Sequence, residues 1–273
     1  MIETVHLFQP LDDQLILLLR SLSKEDWNKP TIAKLWVVKD IASHLLDGNM
    51  RTLSLSRDKH RLSPDRTIDS YETLVAYLNQ LNADWVQATK RLSPEVLVEL
   101  LERSGKQYSA YIATLDPEED ALFSVAWAGE DRSKNWFHIA REYTEKWHHQ
   151  QQIRDAVGKP GILTQELYYP VIDTFMRGLP HTFRNTDAEE GTVVRIAVDG
   201  AVKGEWFLLR HNNKWQQGNN PGRLADAGIS VPAEISWKVF TKGMTAEAAL
   251  SSCRIDGNGG LASVVLKLIA VMA

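Results

Sequence analysis

The chain is short of sulfur, positive charge and long apolar runs. Its single cysteine, Cys253, among 273 residues excludes an internal disulfide. Lys and Arg number 31 against 35 Asp and Glu, a formal net charge of −4. No basic excess is left to build a nucleic-acid surface. No apolar stretch approaches the length of a membrane span. The opening residues Met1 to His6 lack a basic segment followed by an apolar one, so no secretory signal is expected. Internal repeats and low-complexity segments are absent. These absences point to a soluble cytoplasmic protein with no nucleic-acid and no membrane partner. What is present is an ordinary globular composition, 44% hydrophobic and 24% charged, with nine tryptophans. Most of those will be core or pocket wall.

Helical periodicity dominates the first 160 residues. Pro10 to Leu22 carries Leu11, Leu15, Leu18, Leu19 and Leu22 at helical spacing, with Pro10 in the first turn. A second helix opens at Trp36 and runs past Met50 towards Ser56. Asp69 and Ser70 can cap a third, Tyr71 to about Arg91. Ser93-Pro94-Glu95 starts a fourth, to about Leu115. Ser133 or Asn135 begins a long fifth, which Gly158-Lys159-Pro160-Gly161 ends. The composition then changes. Thr164 to Arg184 reads as one helix. Gly191 to Gly200, Trp206 to Arg210, Lys214 to Gln217 after an Asn-Asn turn, Ala233 to Trp237 and Ile255 to Gly257 read as strands. Thr245 caps a short helix to Ser251, and Leu261 to Met272 reads as a terminal helix. The expected fold is a two-domain α+β chain: an all-helical bundle over 1–160, then a smaller α+β domain over 161–273.

The long fifth helix carries the chemistry. Glu145 and His149 lie four residues apart and share a face. A carboxylate and an imidazole in that relation are two thirds of a facial metal site, and equally a common solvated pair. His44 lies among apolar residues of the second helix. A helical bundle can bring it opposite Glu145 and His149, and a core histidine is the plainer reading. Asp40, one turn earlier, can accept from the ring nitrogen of His44 that faces away from a metal. His138 and Glu142 extend the Glu145/His149 stripe as rival ligands. His148 points about 100° away from His149, which argues against both serving one ion.

Two segments resemble a known family. Trp36-Val37-Val38-Lys39-Asp40-Ile41-Ala42-Ser43-His44-Leu45 is similar to the tryptophan–x–valine–x–aspartate–x3–histidine–leucine segment of the DinB-like metal-binding superfamily, and more narrowly of its mycothiol-dependent maleylpyruvate isomerase branch. Glu145 to Gly158 resembles that branch's glutamate–x3–histidine segment, which closes on alanine–aliphatic–glycine. The resemblance implies a four-helix bundle in which His44, Glu145 and His149 bind a metal. It further implies a sterol-carrier-like α+β domain and a low-molecular-weight thiol such as mycothiol as cofactor. Gln150-Gln151-Gln152 departs from the glycine and acidic residues often found after that histidine.

Two imidazoles and a carboxylate suit Zn²⁺, with Ni²⁺ or Fe²⁺ as alternatives, and three protein ligands leave open positions. Cys253 reads as a structural thiol, so a thiolate nucleophile would come from the small cofactor. Arg195 and Arg210, in the β segments, are candidate catalytic cations for an acidic substrate, with exposed strand residues as the plainer reading. The expected function is thiol-dependent isomerisation or S-transfer on a small electrophile. Metal-activated water in a hydrolase, and a non-catalytic metal-stabilised protein holding a small ligand or lipid, are the alternatives.

Overall fold

The computed structural model describes residues 1–271. Helices come first: α1 Phe8–Arg20, α2 Val38–Thr52, α3 Tyr71–Thr89, α4 Pro94–Ile112 and α5 Asn135–Val157. Their ends follow the local chemistry. Ser70 Oγ accepts from the Thr73 N–H to start α3, and Ser93 Oγ accepts from the Val96 N–H to start α4, with Pro94 first in the helix. Gly158, at φ +67°, ends α5 in the left-handed conformation that glycine adopts without strain. The leucine stripe of α1 is buried and packs on α4 and α5, while α2 packs on α3, α4 and α5.

Next come α6 Gln165–Met176, α7 Leu179–Thr182, β1 Val193–Asp199, β2 Gly204–His211, β3 Lys214–Gly218, β4 Ala227–Pro232, α8 Ala233–Phe240, α9 Ala246–Leu250, β5 Arg254–Gly257 and α10 Gly259–Ser263. The strands form one sheet in the order β3-β2-β1-β4-β5. β1 runs antiparallel to β2 and parallel to β4; the β2–β3 and β4–β5 pairs are antiparallel. Asn212 and Asn213, at φ +51° and +58°, turn β2 into β3, as asparagine readily does. The chain is thus α+β: a helical N-terminal region followed by a five-stranded sheet with helices. Among the described residues no helix is long and apolar enough to cross a membrane.

Three expectations are corrected. The single helix over 164–184 is two, α6 and α7. Pro180 has no N–H for the Met176 carbonyl, which accepts from Gln217 Nε2 at 3.1 Å instead. Gly178 lets the chain pass close to Trp127 and Leu268: a Cβ there would stand 2.8 Å from Leu268 Cδ1. The strand over Ala233 to Trp237 is the helix α8. Its buried residues Ala233, Ser236, Trp237 and Phe240 follow a helical period, and the apolar run before it forms β4. The terminal helix shortens to α10 and a 3-10 turn over Val264–Lys267. The far end expected for it, Met272, lies outside the described residues.

α5 joins the two halves. Tyr143 Oη donates to the Leu167 carbonyl at 2.9 Å, and Trp147 Nε1 to the Ile162 carbonyl at 3.1 Å. Trp147 stacks on Tyr168 with ring centroids 4.4 Å apart. Tyr143 and Trp147 are one turn apart on the side of α5 opposite Glu145 and His149, because two residues turn the helix by about 200°. One apolar cluster therefore runs from Phe8 and Tyr108 through α5 and α6 into the sheet.

Candidate metal centre

The face of α5 turned away from that seam borders a cavity of about 720 Å³. His44 and Arg51 of α2, Asn82 of α3, and Glu145, His148 and His149 of α5 line it, with Trp36 and Thr241 at other walls. Glu145 Oε2 stands 3.6 Å from His149 Nε2 and 3.9 Å from His148 Nδ1. Glu145, His148 and His149 each offer a donor atom within 4.8 Å of the others. His44 faces this group from α2. Its ring centroid is 4.7 Å from that of His149 and 4.8 Å from that of Trp36.

His148 stands closer to His149 than the sequence expectation placed it. Counted from Glu145, positions 148 and 149 lie about −60° and +40° around the helix, so both flank the carboxylate. Their rings come to 4.0 Å between centroids. The i+3 and i+4 spacing from Glu145 held this signal; comparing the two histidines only with each other hid it.

Hydrogen bonds fix the tautomers. His149 Nδ1–H donates to Gln152 Oε1 at 2.9 Å, which leaves the Nε2 lone pair facing Glu145. His148 Nδ1–H donates to the Thr144 carbonyl at 3.0 Å, likewise freeing Nε2. The sequence expectation that Asp40 accepts from His44 is not met. The Asp40 carboxylate accepts from the Val37 N–H at 3.2 Å and caps the first turn of α2, while the buried Nδ1 of His44 has no partner. Burial holds all three imidazoles neutral: His148 at about 4, His149 at about 3 and His44 well below the usual range. Burial likewise raises Glu145, against the pull of His149 and Arg141. Neutral imidazoles beside a carboxylate short of positive charge are a donor set that a divalent cation fits.

The rival ligands are otherwise engaged. Glu142 pairs with Arg141 and accepts from Tyr108 Oη at 3.0 Å. Burial would raise its carboxyl, but Arg141, His138, Arg51 and the Tyr108 hydrogen bond together hold it at about 2. His138 Nδ1 accepts from Arg141 Nη2 at 2.9 Å, and His138 is not among the residues lining the cavity. Arg195 and Arg210 do not line it either. Arg195 lies on the sheet and pairs with Glu205 at 2.6 Å; Arg210 lies over the Trp215 ring at 5.8 Å.

The sequence pattern of the mycothiol maleylpyruvate isomerase N-terminal domain matches residues 8–154, more than half the chain. The chain belongs to that family. Its α1 to α5 fill the matched span, with the cavity-lining face of α5 near the far end. Crystal structures of a mycothiol-dependent maleylpyruvate isomerase and of its histidine-to-alanine mutant each align with a TM-score of 0.53 at 10% identity. Each alignment covers 86% of this chain and 86% of the other. At that identity the likeness establishes the fold, C-terminal half included. No curated protein sequence matches.

Proposed function

We propose that the protein is a metal-dependent enzyme that uses a low-molecular-weight thiol of the mycothiol type to isomerise a small electrophile, or to transfer sulfur to it. The observation that carries this reading is the convergence of His44, Glu145, His148 and His149 on one cavity in a chain of this family. His44, Glu145 and His149 are the proposed ligands, and His148 is a fourth donor within reach. Zn²⁺ suits two or three imidazoles and a carboxylate, with Ni²⁺ or Fe²⁺ as alternatives. Bound there, the ion would lower the pKa of a coordinated thiol and yield a nucleophile at neutral pH.

The chain's own residues do the rest. Gln152 holds His149 in the tautomer whose lone pair faces Glu145, and the Thr144 carbonyl holds His148 with Nδ1 protonated and Nε2 free. Arg141 and Tyr108 hold Glu142 as a fixed charge beside the site. Cys253 cannot serve as the nucleophile. Burial and Asp199 raise its thiol, Sγ donates to the Ala249 carbonyl at 3.3 Å, and it does not line the cavity. The sulfur therefore comes from a small molecule.

Metal analysis together with thiol and electrophile consumption tests this. Purified protein should carry a divalent ion and consume the electrophile only when ion and thiol are both present. His149→Ala and His44→Ala should each lose bound metal and about a thousandfold or more in turnover. Unchanged metal content in either variant would remove that residue as a ligand. Turnover without thiol would point instead to metal-activated water.

A further inference from the structure

Among the cations lining the cavity, the two on α5, Arg141 and Lys146, are already paired. Lys146 Nζ donates to both Asp12 oxygens, at 2.9 and 3.0 Å. Arg141 is shared between Glu142 and His138. Arg51 differs. Among the described residues its one ion pair is with Asp47, at 3.9 Å, beyond hydrogen-bond reach. Its guanidinium therefore keeps its donors free, and its side chain is 43% exposed. It lies seven residues after His44 on α2, so the two side chains project from nearly the same face, two turns apart. It lines the same cavity as His44, Glu142 and Glu145, which puts it beside the candidate metal centre. A planar, permanently charged fork with free donors fits a carboxylate in two-point fashion.

We propose that Arg51, and not an arginine of the β-sheet, is the residue that pairs with a carboxylate of the substrate and sets the preference of the cavity for acidic electrophiles. This rests on the thiol-dependent reading given above for what the cavity does, but the pairing itself can be read without turnover. Arg51 would hold the acidic end of a substrate on the α2 wall while its reactive carbon lies towards Glu145 and His149. The weak Asp47 contact would give way on binding: Asp47 is held near the guanidinium without consuming its hydrogen bonds.

The test has two arms. In the first, maleate is titrated by calorimetry into the full-length protein, into Arg51→Met and into Arg51→Lys. Maleate affinity should fall by about tenfold to a hundredfold in Arg51→Met and by less in Arg51→Lys, which keeps the charge but loses the fork. Equal affinity in all three, or no maleate binding to the unaltered protein up to millimolar concentration, overturns the proposal. In the second arm, kcat/KM is measured for a carboxylated electrophile and for its methyl ester. The acid-to-ester ratio should fall by a similar factor in Arg51→Met, mainly through KM. A ratio that does not move overturns the proposal. If the unaltered protein turns over neither compound, the thiol-dependent reading fails and the maleate arm alone decides the role of Arg51.

Discussion

α5 and α6 are both buried helices, packed against each other, yet they are buried in opposite ways. α6 presents Leu167, Tyr168, Val171, Ile172, Phe175 and Met176 to the interior. It shares one apolar cluster with Val194, Ile196, Leu208 and Ile229 of the sheet. α5 buries His138, Lys146, His148, His149, Gln152 and Arg154 alongside its aromatics. Burying such groups costs free energy unless each finds a partner. Most do. Lys146 meets Asp12, and Arg154 donates to the carbonyls of Gln14 and Pro160. Gly105 of α4 makes room for that Asp12: a Cβ there would stand 2.7 Å from its Oδ2. Left without a partner are Arg141 Nε and Gln151 Oε1 on α5 and, on the facing α2, the Nδ1 of His44, while burial raises the carboxylate of Glu145. α6 therefore contributes stability through packing, whereas α5 gives up packing for a site and offsets the loss by pairing most of its other polar groups.

The contrast is sharpest in paired substitutions. Phe175→Ala opens a cavity in the α6 seam and should cost about 3–5 kcal/mol. Lys146→Ala should cost a similar amount for a different reason: Asp12, already raised by burial with only Lys146 to offset it, is left without its cation. The combination Asp12→Leu with Lys146→Met should recover most of the second loss, since replacing a whole buried pair by apolar groups is near neutral. Denaturant unfolding of all three checks this. If the double variant is as unstable as Lys146→Ala, the polar side of α5 is not built from separable pairs.

A smaller effect lies on the acid side. Burial keeps His138 neutral down to about 4, with the nearby Arg141 acting in the same direction. Its folded pKa is below its unfolded value near 6.5, so between those values the unfolded chain binds more protons. The contribution of His138 to stability is therefore complete above pH 6.5 and is lost as pH falls to 4. Relative to His138→Gln, the unaltered protein should lose up to about 3 kcal/mol across that window. Parallel pH profiles for the two proteins would show that His138 is not held neutral.

The smallest effect is expected on the sheet. Arg195→Ala removes a partly exposed pair with Glu205 and should change stability by no more than about 0.5 kcal/mol, with turnover unaffected. A large loss of turnover would return catalysis to the strand arginines and erase the division of labour between the two halves.

The helical half was largely legible because periodicity and caps act locally. Ser70, Ser93 and Gly158 set helix ends within a turn of where they were expected. The sheet half was less so. Alternation over Ala233 to Trp237 cannot be told from a short amphipathic helix until Pro232 and β4 are placed beside it. In the site, the shared face of Glu145 and His149 followed from spacing alone. The Asp40 cap and the partnerless Nδ1 of His44 did not, because a carboxylate one turn from a histidine can equally reach back to the N–H groups of the first turn.

By itself, then, the sequence determined which residues share a helix face: 145 with 149, 143 with 147, and, unused in its reading, 44 with 51. A rise and turn that are the same in every helix leave little freedom there. Only the tertiary structure decided which faces meet. It brought His44 to His149, closed the Arg141–Glu142 and Lys146–Asp12 pairs, and left Arg195 and Arg210 on the sheet away from the cavity. Contacts between elements depend on how helices cross and on which side chains fill the space between them, and the spacing of residues along one element carries neither.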